Sequence, residues 1–350
     1  MVVSGLLIKP FFWICWHIRR IFRLLHGVVF YVESEHDYFV INNILPHLEF
    51  PYKIVARNQI VANKLIKRGL SVDVWPAFPR ILVMTRHAFH RFPIKDIKKI
   101  GIKHGTYHFK KMVHPKKYNA FDLYIFTTEE ETKMAFKSGI KSGIAGGQPK
   151  LDTLLSHQTL QMSKKIKQNI DFNENKKTLL FTATWDKTGL SAIDQWIDNL
   201  PELKSWYNIL VSMHPMMSIS YVNKVKSLPG IHVAESYNLP AYMHIADFLI
   251  SDTSSIMGEF CALDKPIITF VVEKGWRLTP HIREMIKDIS IQIKSIKELE
   301  WAVEQYLRNP DLKRAERRHW RKVFYGDINI SHGEKVANII NVFVRQHVEL

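Results

Sequence analysis

The chain has 350 residues, 46% hydrophobic and 23% charged, which is ordinary globular usage and excludes a disordered or fibrous polymer. Two cysteines, Cys15 and Cys261, exclude a disulfide framework and a cysteine-rich zinc site, so a cytosolic or cytosol-facing protein of one large or two smaller domains is expected. The net charge is +16, and residues 1–150 hold 24 Lys and Arg against 10 Asp and Glu, so +14 of it lies in the first half, which therefore suits an anionic partner: nucleic acid, anionic lipid or a phosphate polymer.

Residues 5–25 read GLLIKPFFWICWHIRRIFRLL. Lys9, Arg19, Arg20 and Arg23 interrupt them, which leaves far fewer than the roughly 20 apolar residues that cross a bilayer. No small-residue cleavage site follows, so a signal peptide is not expected. Aromatic residues beside arginines fit an interfacial helix over residues 1–26, with the rings at headgroup level and the cations on anionic phosphates. The alternative is a surface helix packed on its own domain.

Short apolar runs of strand length follow at Val28–Val32, Lys53–Ala56, Val72–Val74, Arg80–Met84, Ile100–Lys103, Leu123–Thr127 and Gly143–Ala145. Asp37–Leu48 reads as helix. This alternation predicts βαβ units with a parallel sheet over residues 27–155. Residues 156–177 are polar and read as a helix plus a connector.

A second series comprises strands at Thr178–Ala183, Trp206–Met213, Ile231–Val233, Phe248–Ile250 and Pro266–Val272. Helices are expected between them at Gly189–Leu200, Val222–Leu228, Leu239–Ala246 and Ser255–Leu263. The second domain is placed at 178–310, with helices over 311–350 that could pack back on the first domain. The fold class is α/β with two Rossmann-like domains facing a cleft, the default ligand site beyond the strands' carboxyl ends.

Five motifs stand at strand ends. The strand Leu249-Ile250 runs into Ser251-Asp252-Thr253-Ser254-Ser255, and a helix carrying Glu259 begins there. Hydroxyl groups at a helix N-terminus suit a diphosphate; plain N-capping by Asp252, Thr253 or Ser254 is the alternative. His214-Pro215 ends one strand, and Lys103-His104-Gly105-Thr106 ends another, where Gly105 allows close backbone approach. Gly146-Gly147-Gln148-Pro149-Lys150-Leu151-Asp152 marks a loop that an interdomain turn also explains. Thr184-Trp185 follows a strand, with core packing of Trp185 as the other reading. No phosphate-binding P-loop, dinucleotide fingerprint, zinc motif or Asp-x-Asp pair is present, so no metal and no cofactor are expected.

In this order the motifs resemble the CDP-glycerol:poly(glycerophosphate) glycerophosphotransferase family, the teichoic acid primases and polymerases. The matching residues are His104-Gly105-Thr106, Gly147-Gln148-Pro149-Lys150-Leu151-Asp152, Ala183-Thr184-Trp185, His214-Pro215 and Asp252-Thr253-Ser254-Ser255, with Lys265-Pro266-Ile267-Ile268 after them. Thr253 stands for the family's usual Tyr, Lys150 for Arg, Asp186 for an Arg after Trp, and Tyr107 for Pro.

The resemblance implies a glycosyltransferase-B-like fold and peripheral, monotopic attachment to the cytoplasmic face of the cell membrane. It also implies transfer of glycerol phosphate from CDP-glycerol, or a similar CDP-alcohol, to a membrane-associated glycan or polyol-phosphate acceptor, releasing CMP. His104 would be the general base. His214, Ser254 and Ser255 would hold the diphosphate, and Asp152 would orient a hydroxyl. Lys103, Gly105, Thr106, Gly147, Pro149, Lys150, Thr184, Trp185, Asp252, Thr253 and Glu259 would line the substrate.

Two other readings stay open. One is a nucleotide-sugar enzyme of the same architecture, resembling UDP-N-acetylglucosamine 2-epimerase or a capsule glycosyltransferase. The other is a basic protein binding nucleic acid or anionic lipid, although no nucleic-acid motif is present and nucleic acid is not the expected partner.

Overall fold

The computed structural model describes residues 3–105, 115–273 and 278–347, with side chains from residue 9 onward. Thr106 and Tyr107 lie outside the described residues. The chain divides into two units. The first takes residues up to 105, the stretch to Asp152 and the end of the chain from Asn329, while the second takes Thr153–Ile328.

The first unit carries seven strands: β1 (His26–Val32), β2 (Tyr52–Ala56), β3 (Val72–Val74), β4 (Pro79–Met84), β5 (Lys98–Ile102), β6 (Leu123–Phe126) and β7 (Gly143–Ala145). All pair in parallel, in the order β3-β2-β1-β4-β5-β6-β7. Parallel strands are covered on both faces, which explains their unbroken apolar runs. One cover is the final helix, His332–His347, whose Val336, Ala337, Ile340 and Val344 join Val28, Phe30, Ile81 and Ile100 in one core. The sheet grows from β1 in one direction through β2 and in the other through β4, so the switch point lies between β1 and β4.

The N-terminal helix Val3–Ile21 packs one face on the first unit. Phe12 and Trp16 are 1% and 2% exposed; the Phe12 ring lies 4.9 Å from Phe78, and Trp16 Nε1 donates to the Pro79 carbonyl at 3.0 Å. Phe11, Ile14, Ile18, Ile21 and Phe22 are exposed. Positions 11, 14, 18 and 22 fall on one helical face, so an apolar stripe lies away from the packed one. Among the described residues no helix is long and apolar enough to cross a membrane.

The helix expected over 37–48 is interrupted. A helical turn, Tyr38–Ile41, is flanked by 3-10 turns at Glu35–Asp37 and Leu45–His47. Pro46 has no N–H for an α-helical bond.

The second unit has six strands: β8 (Thr178–Thr182), β9 (Asn208–Ser212), β10 (His232–Val233), β11 (Phe248–Ser251), β12 (Ile267–Phe270) and β13 (Ile291–Ile293). They are parallel, in the order β10-β9-β8-β11-β12-β13, with the switch point between β8 and β11. β13 and the preceding helix Pro280–Ile289 are additions to the sequence reading. The helix expected over 189–200 resolves into 3-10 turns at Ile193–Gln195 and Ile197–Asn199 and a helical turn at Leu200–Leu203. Gly189, with φ of 68°, breaks the helical path, and the Ala192 N–H is drawn to the Asp252 carboxylate instead. Helix Arg314–Tyr325 belongs to the second unit and only the final helix to the first.

Candidate active site

In the first unit the carboxyl ends of β1, β4, β5 and β7 bring together Asp37, Arg86, His104 and Lys150. Met84 pairs with both Tyr31 and Gly101, so the residues just beyond β4 and β5 are neighbours. His104 Nδ1 lies 3.2 Å from the Thr85 carbonyl oxygen. A carbonyl only accepts, so Nδ1 carries the proton and Nε2 keeps its lone pair. The ring is solvent-accessible, yet desolvation by the surrounding protein, followed by the charges of Arg86 and Lys103, lowers its pKa to about 4. His104 is thus neutral at pH 7. A Cβ added at Gly105 would meet no atom of the described residues within 4 Å.

Lys103 is nearly buried. Its ammonium lies 3.8 Å from Glu131 Oε1 and 5.9 Å from the Tyr118 ring centroid. The buried Glu131 is anchored through Oε2 by the Thr127 N–H at 2.9 Å and hydroxyl at 2.6 Å.

The Gly147–Asp152 loop is a clasp. Gly147 has φ of 111°, and a Cβ there would come within 2.5 Å of His332 Nδ1, which accepts from the Gln148 N–H at 3.0 Å. The Pro149 carbonyl accepts from Asn43 Nδ2 at 2.7 Å. The Asp152 carboxylate, expected to orient a substrate hydroxyl, accepts from the N–H groups of His332 at 3.0 Å and Gly333 at 2.7 Å and from the Ser331 hydroxyl. It closes the N-terminus of the final helix, where backbone donors lack partners. Both its oxygens are engaged within the chain.

In the second unit the motifs after β8 and β11 meet at the switch point. Asp252 is 1% exposed and accepts from the Thr184 N–H at 2.9 Å, the Thr184 hydroxyl at 2.8 Å, the Ala192 N–H at 3.0 Å and the Thr253 N–H. Burial raises its pKa and these bonds oppose the rise. Thr253 is buried, with its hydroxyl 3.2 Å from that of Thr184. Asp252, Thr184 and Thr253 therefore build the loop.

Ser254 and Ser255 differ. They are half-buried, and their hydroxyls make no hydrogen bond among the described residues. Trp185 Nε1 is likewise without a partner there. Glu259 sits one turn into the helix Ile256–Ala262, close enough for its charge to bear on Cys261 and Tyr325.

His214 follows β9. Its Nδ1 accepts the Met216 N–H at 3.1 Å, which places the proton of the neutral ring on Nε2. Asp186 accepts from the Ser218 N–H at 3.0 Å and hydroxyl at 2.6 Å at the start of helix Ile219–Ser227.

Arg86, Asp37, His36 and Glu131 were not picked out from the sequence. Arg86 stands two residues past the end of β4, and Asp37 five past the end of β1; position relative to a strand end was the only available signal. Among the described residues no group of three or more His, Cys, Asp or Glu could hold a metal ion.

The family model for CDP-glycerol:poly(glycerophosphate) glycerophosphotransferases matches residues 83–340. A teichoic acid poly(glycerol phosphate) polymerase of Bacillus spizizenii is 25% identical over 162 residues, 44% of this chain and 39% of that protein. A teichoic acid glycerol-phosphate primase of the same organism is 26% identical over 255 residues, 64% of this chain and 62% of that one. The chain thus spans less than two thirds of either relative's length.

Among solved structures, a variant of the wall teichoic acid polymerase TagF aligns with a TM-score of 0.67 at 15% identity, covering 99% of this chain and 100% of that one. A UDP-GlcNAc 2-epimerase from Neisseria meningitidis aligns at 0.62 with 14% identity, covering 91% and 99%. These likenesses show a shared fold of the glycosyltransferase-B type.

Proposed function

The chain belongs to the CDP-glycerol:poly(glycerophosphate) glycerophosphotransferase family, and from that premise we propose that it transfers glycerol phosphate from CDP-glycerol to a hydroxyl of a membrane-associated acceptor, releasing CMP. The acceptor oxygen forms a bond to the β-phosphorus of the donor. The bond from that phosphorus to the bridging oxygen breaks, and the electron pair leaves with CMP. His104 Nε2 takes the hydroxyl proton. His214 Nε2–H, with the Ser254 and Ser255 hydroxyls, donates to the diphosphate and to the charge that gathers on the leaving phosphate.

The observation that carries this reading is the opposite tautomers of the two histidines. His104 offers a lone pair and His214 a proton, as a base and an anion donor require. The low pKa of His104 keeps it ready to accept, and a bound phosphate would raise its basicity during the reaction.

The exposed stripe Phe11, Ile14, Ile18, Ile21 and Phe22 supports peripheral attachment at a membrane surface. Buried Phe12 and Trp16 fix the stripe to the first unit.

Purified protein incubated with CDP-glycerol, CDP-ribitol or UDP-GlcNAc and a lipid-linked acceptor tests the reaction. CMP release from CDP-glycerol is expected. Turnover of UDP-GlcNAc alone would transfer the protein to the nucleotide-sugar enzymes.

A further inference from the structure

The turn that carries His214 is short. β9 ends at Ser212, and the next helix begins at Ile219. Between them Met217 is buried in the core, while Met216 is 58% exposed. The Met217 N–H donates to the His214 carbonyl at 2.8 Å, and the Met216 N–H to its ring Nδ1 at 3.1 Å. The direction of the ring's Nε2–H therefore follows the conformation of this turn. The buried Met217 side chain does not fix a rotation as directional hydrogen bonds do.

Asp186 supplies such bonds from beyond the adjacent strand. Thr182 pairs with Ser212, so the residues that follow β8 and β9 are neighbours. Asp186 Oδ1 accepts the Ser218 N–H at 3.0 Å and Oδ2 the Ser218 hydroxyl at 2.6 Å, which engages both carboxylate oxygens. Asp186 is itself held on either side. Thr184 is bonded to Asp252, and the Thr188 N–H and hydroxyl donate to the Trp185 carbonyl at 3.1 and 2.7 Å.

Two further ties continue the contact along the helix. The Tyr221 hydroxyl donates to Asp194 at 2.6 Å, and Lys224 pairs with Asp198. Ser218, Tyr221 and Lys224 are three residues apart, so successive ones are neighbours on the helix surface. Of the three acidic partners, Asp186 meets the end that His214 adjoins. The family's pattern has Arg at this position, and a guanidinium offers no acceptor, so the carboxylate tie is a feature of this chain rather than of that pattern.

We propose that Asp186 is a positioning residue for His214: by holding Ser218 it fixes the turn from His214 to Ser218, and with it the direction in which Nε2–H meets an anion. This deepens the glycerophosphotransferase reading and rests on it for the identity of that anion, the donor's diphosphate. Asp186 acts without touching the ligand, because its two oxygens are spent on Ser218. Its charge and its geometry pull in opposite directions. A carboxylate beside a diphosphate site repels the ligand, whereas the tie prepares a donor for it.

Two measurements on the full chain test it: calorimetric titration with CDP, and ring-nitrogen NMR of the histidines. By charge alone Asp186→Ala would tighten CDP binding; it is expected instead to weaken it by about 10-fold. Asp186→Asn removes the same charge, keeps an oxygen acceptor, guards against a folding defect and should restore most of the affinity. Ser218→Ala, which loses the hydroxyl and keeps the N–H, should fall between Asp186→Ala and the wild type. The His214 ring should lose its single Nε2-protonated tautomer in Asp186→Ala and keep it in Asp186→Asn. Unchanged or tighter CDP binding by Asp186→Ala, or a His214 ring signal identical to the wild type's, overturns the positioning role. Weaker CDP binding together with the ring change, in a protein that never turns over CDP-glycerol, upholds the positioning role and removes the transferase reading instead.

Discussion

The Nδ1 atom of His104 lies 3.2 Å from the carbonyl oxygen of Thr85, and this contact sets which ring nitrogen can act as a base. His104→Ala is expected to lower CMP release by about 100-fold or more, the usual scale for a lost general base. Circular dichroism should stay unchanged, since the ring is solvent-accessible. His104→Gln retaining near full activity would remove the residue from proton transfer.

The same histidine makes a pH prediction. Its folded pKa of about 4 lies below the ordinary 6.5. As the pH falls below 6.5 the unfolded chain takes up a proton that the folded one excludes, so this group's contribution to stability is fully present above 6.5 and is lost as the pH falls towards 4. The acid limb of kcat/KM, which reports the free enzyme, should lie well below 6.5. Arg86→Met removes a charge that depresses the imidazole, so the His104 resonance in NMR should titrate at higher pH in that variant. A midpoint at or above 6.5 in the wild type would contradict the geometry.

The two faces of the N-terminal helix should separate. Ile14→Glu with Ile18→Glu is expected to reduce sedimentation with anionic liposomes by more than about 10-fold while leaving the melting temperature in place. Trp16→Ala removes a buried ring and its bond to the Pro79 carbonyl, and should cost about 3–5 kcal/mol in denaturant unfolding. Equal liposome binding by the double variant would return the helix to a purely structural role.

Asp152→Ala should act through the fold. It leaves the N–H groups of His332 and Gly333 without their acceptor, at a cost of about 1–3 kcal/mol. Hydrogen exchange should rise first in residues 332–347, while the folded fraction keeps its kcat. A lost kcat with unchanged exchange would return the carboxylate to substrate.

Ser254→Ala with Ser255→Ala should do the reverse. Neither hydroxyl makes a hydrogen bond among the described residues, so stability should change by less than about 0.5 kcal/mol. The KM for CDP-glycerol should rise about 10-fold. Asp252→Ala, three residues away at most, should instead destabilise the loop through the Thr184 and Ala192 donors.

Most strands were legible because a buried parallel strand is an unbroken apolar run between turn residues, as in Val28–Val32 and Leu249–Ile250. β13 was not, since Ile291-Gln292-Ile293 has the length of any loop fragment. The helix read over 189–200 failed because one buried carboxylate, Asp252, pulls the Ala192 backbone out of helical register. No local pattern announces a hydrogen bond across 60 residues. The strand-end motifs were visible as residue types, but their division of labour was not. Asp252 and Ser254 read alike in the sequence, and burial together with the donors that meet Asp252 separates them.

Two parallel α/β units, the collinear strand-end motifs with His104 and His214, and a charge excess lying mostly in the first half can all be read from the order of the residues. These follow from local periodicity and composition, which short-range sterics and hydrophobic burial read directly. Long-range packing alone brought the N–H groups of His332 and Gly333 to Asp152, those of Thr184 and Ala192 to Asp252, and the Thr85 carbonyl to His104 Nδ1. It also set Arg86 on a buried carboxylate beside the base. Each of those outcomes depends on a partner many residues away, and a side chain's chemistry is settled by the donor or acceptor that the fold brings to it.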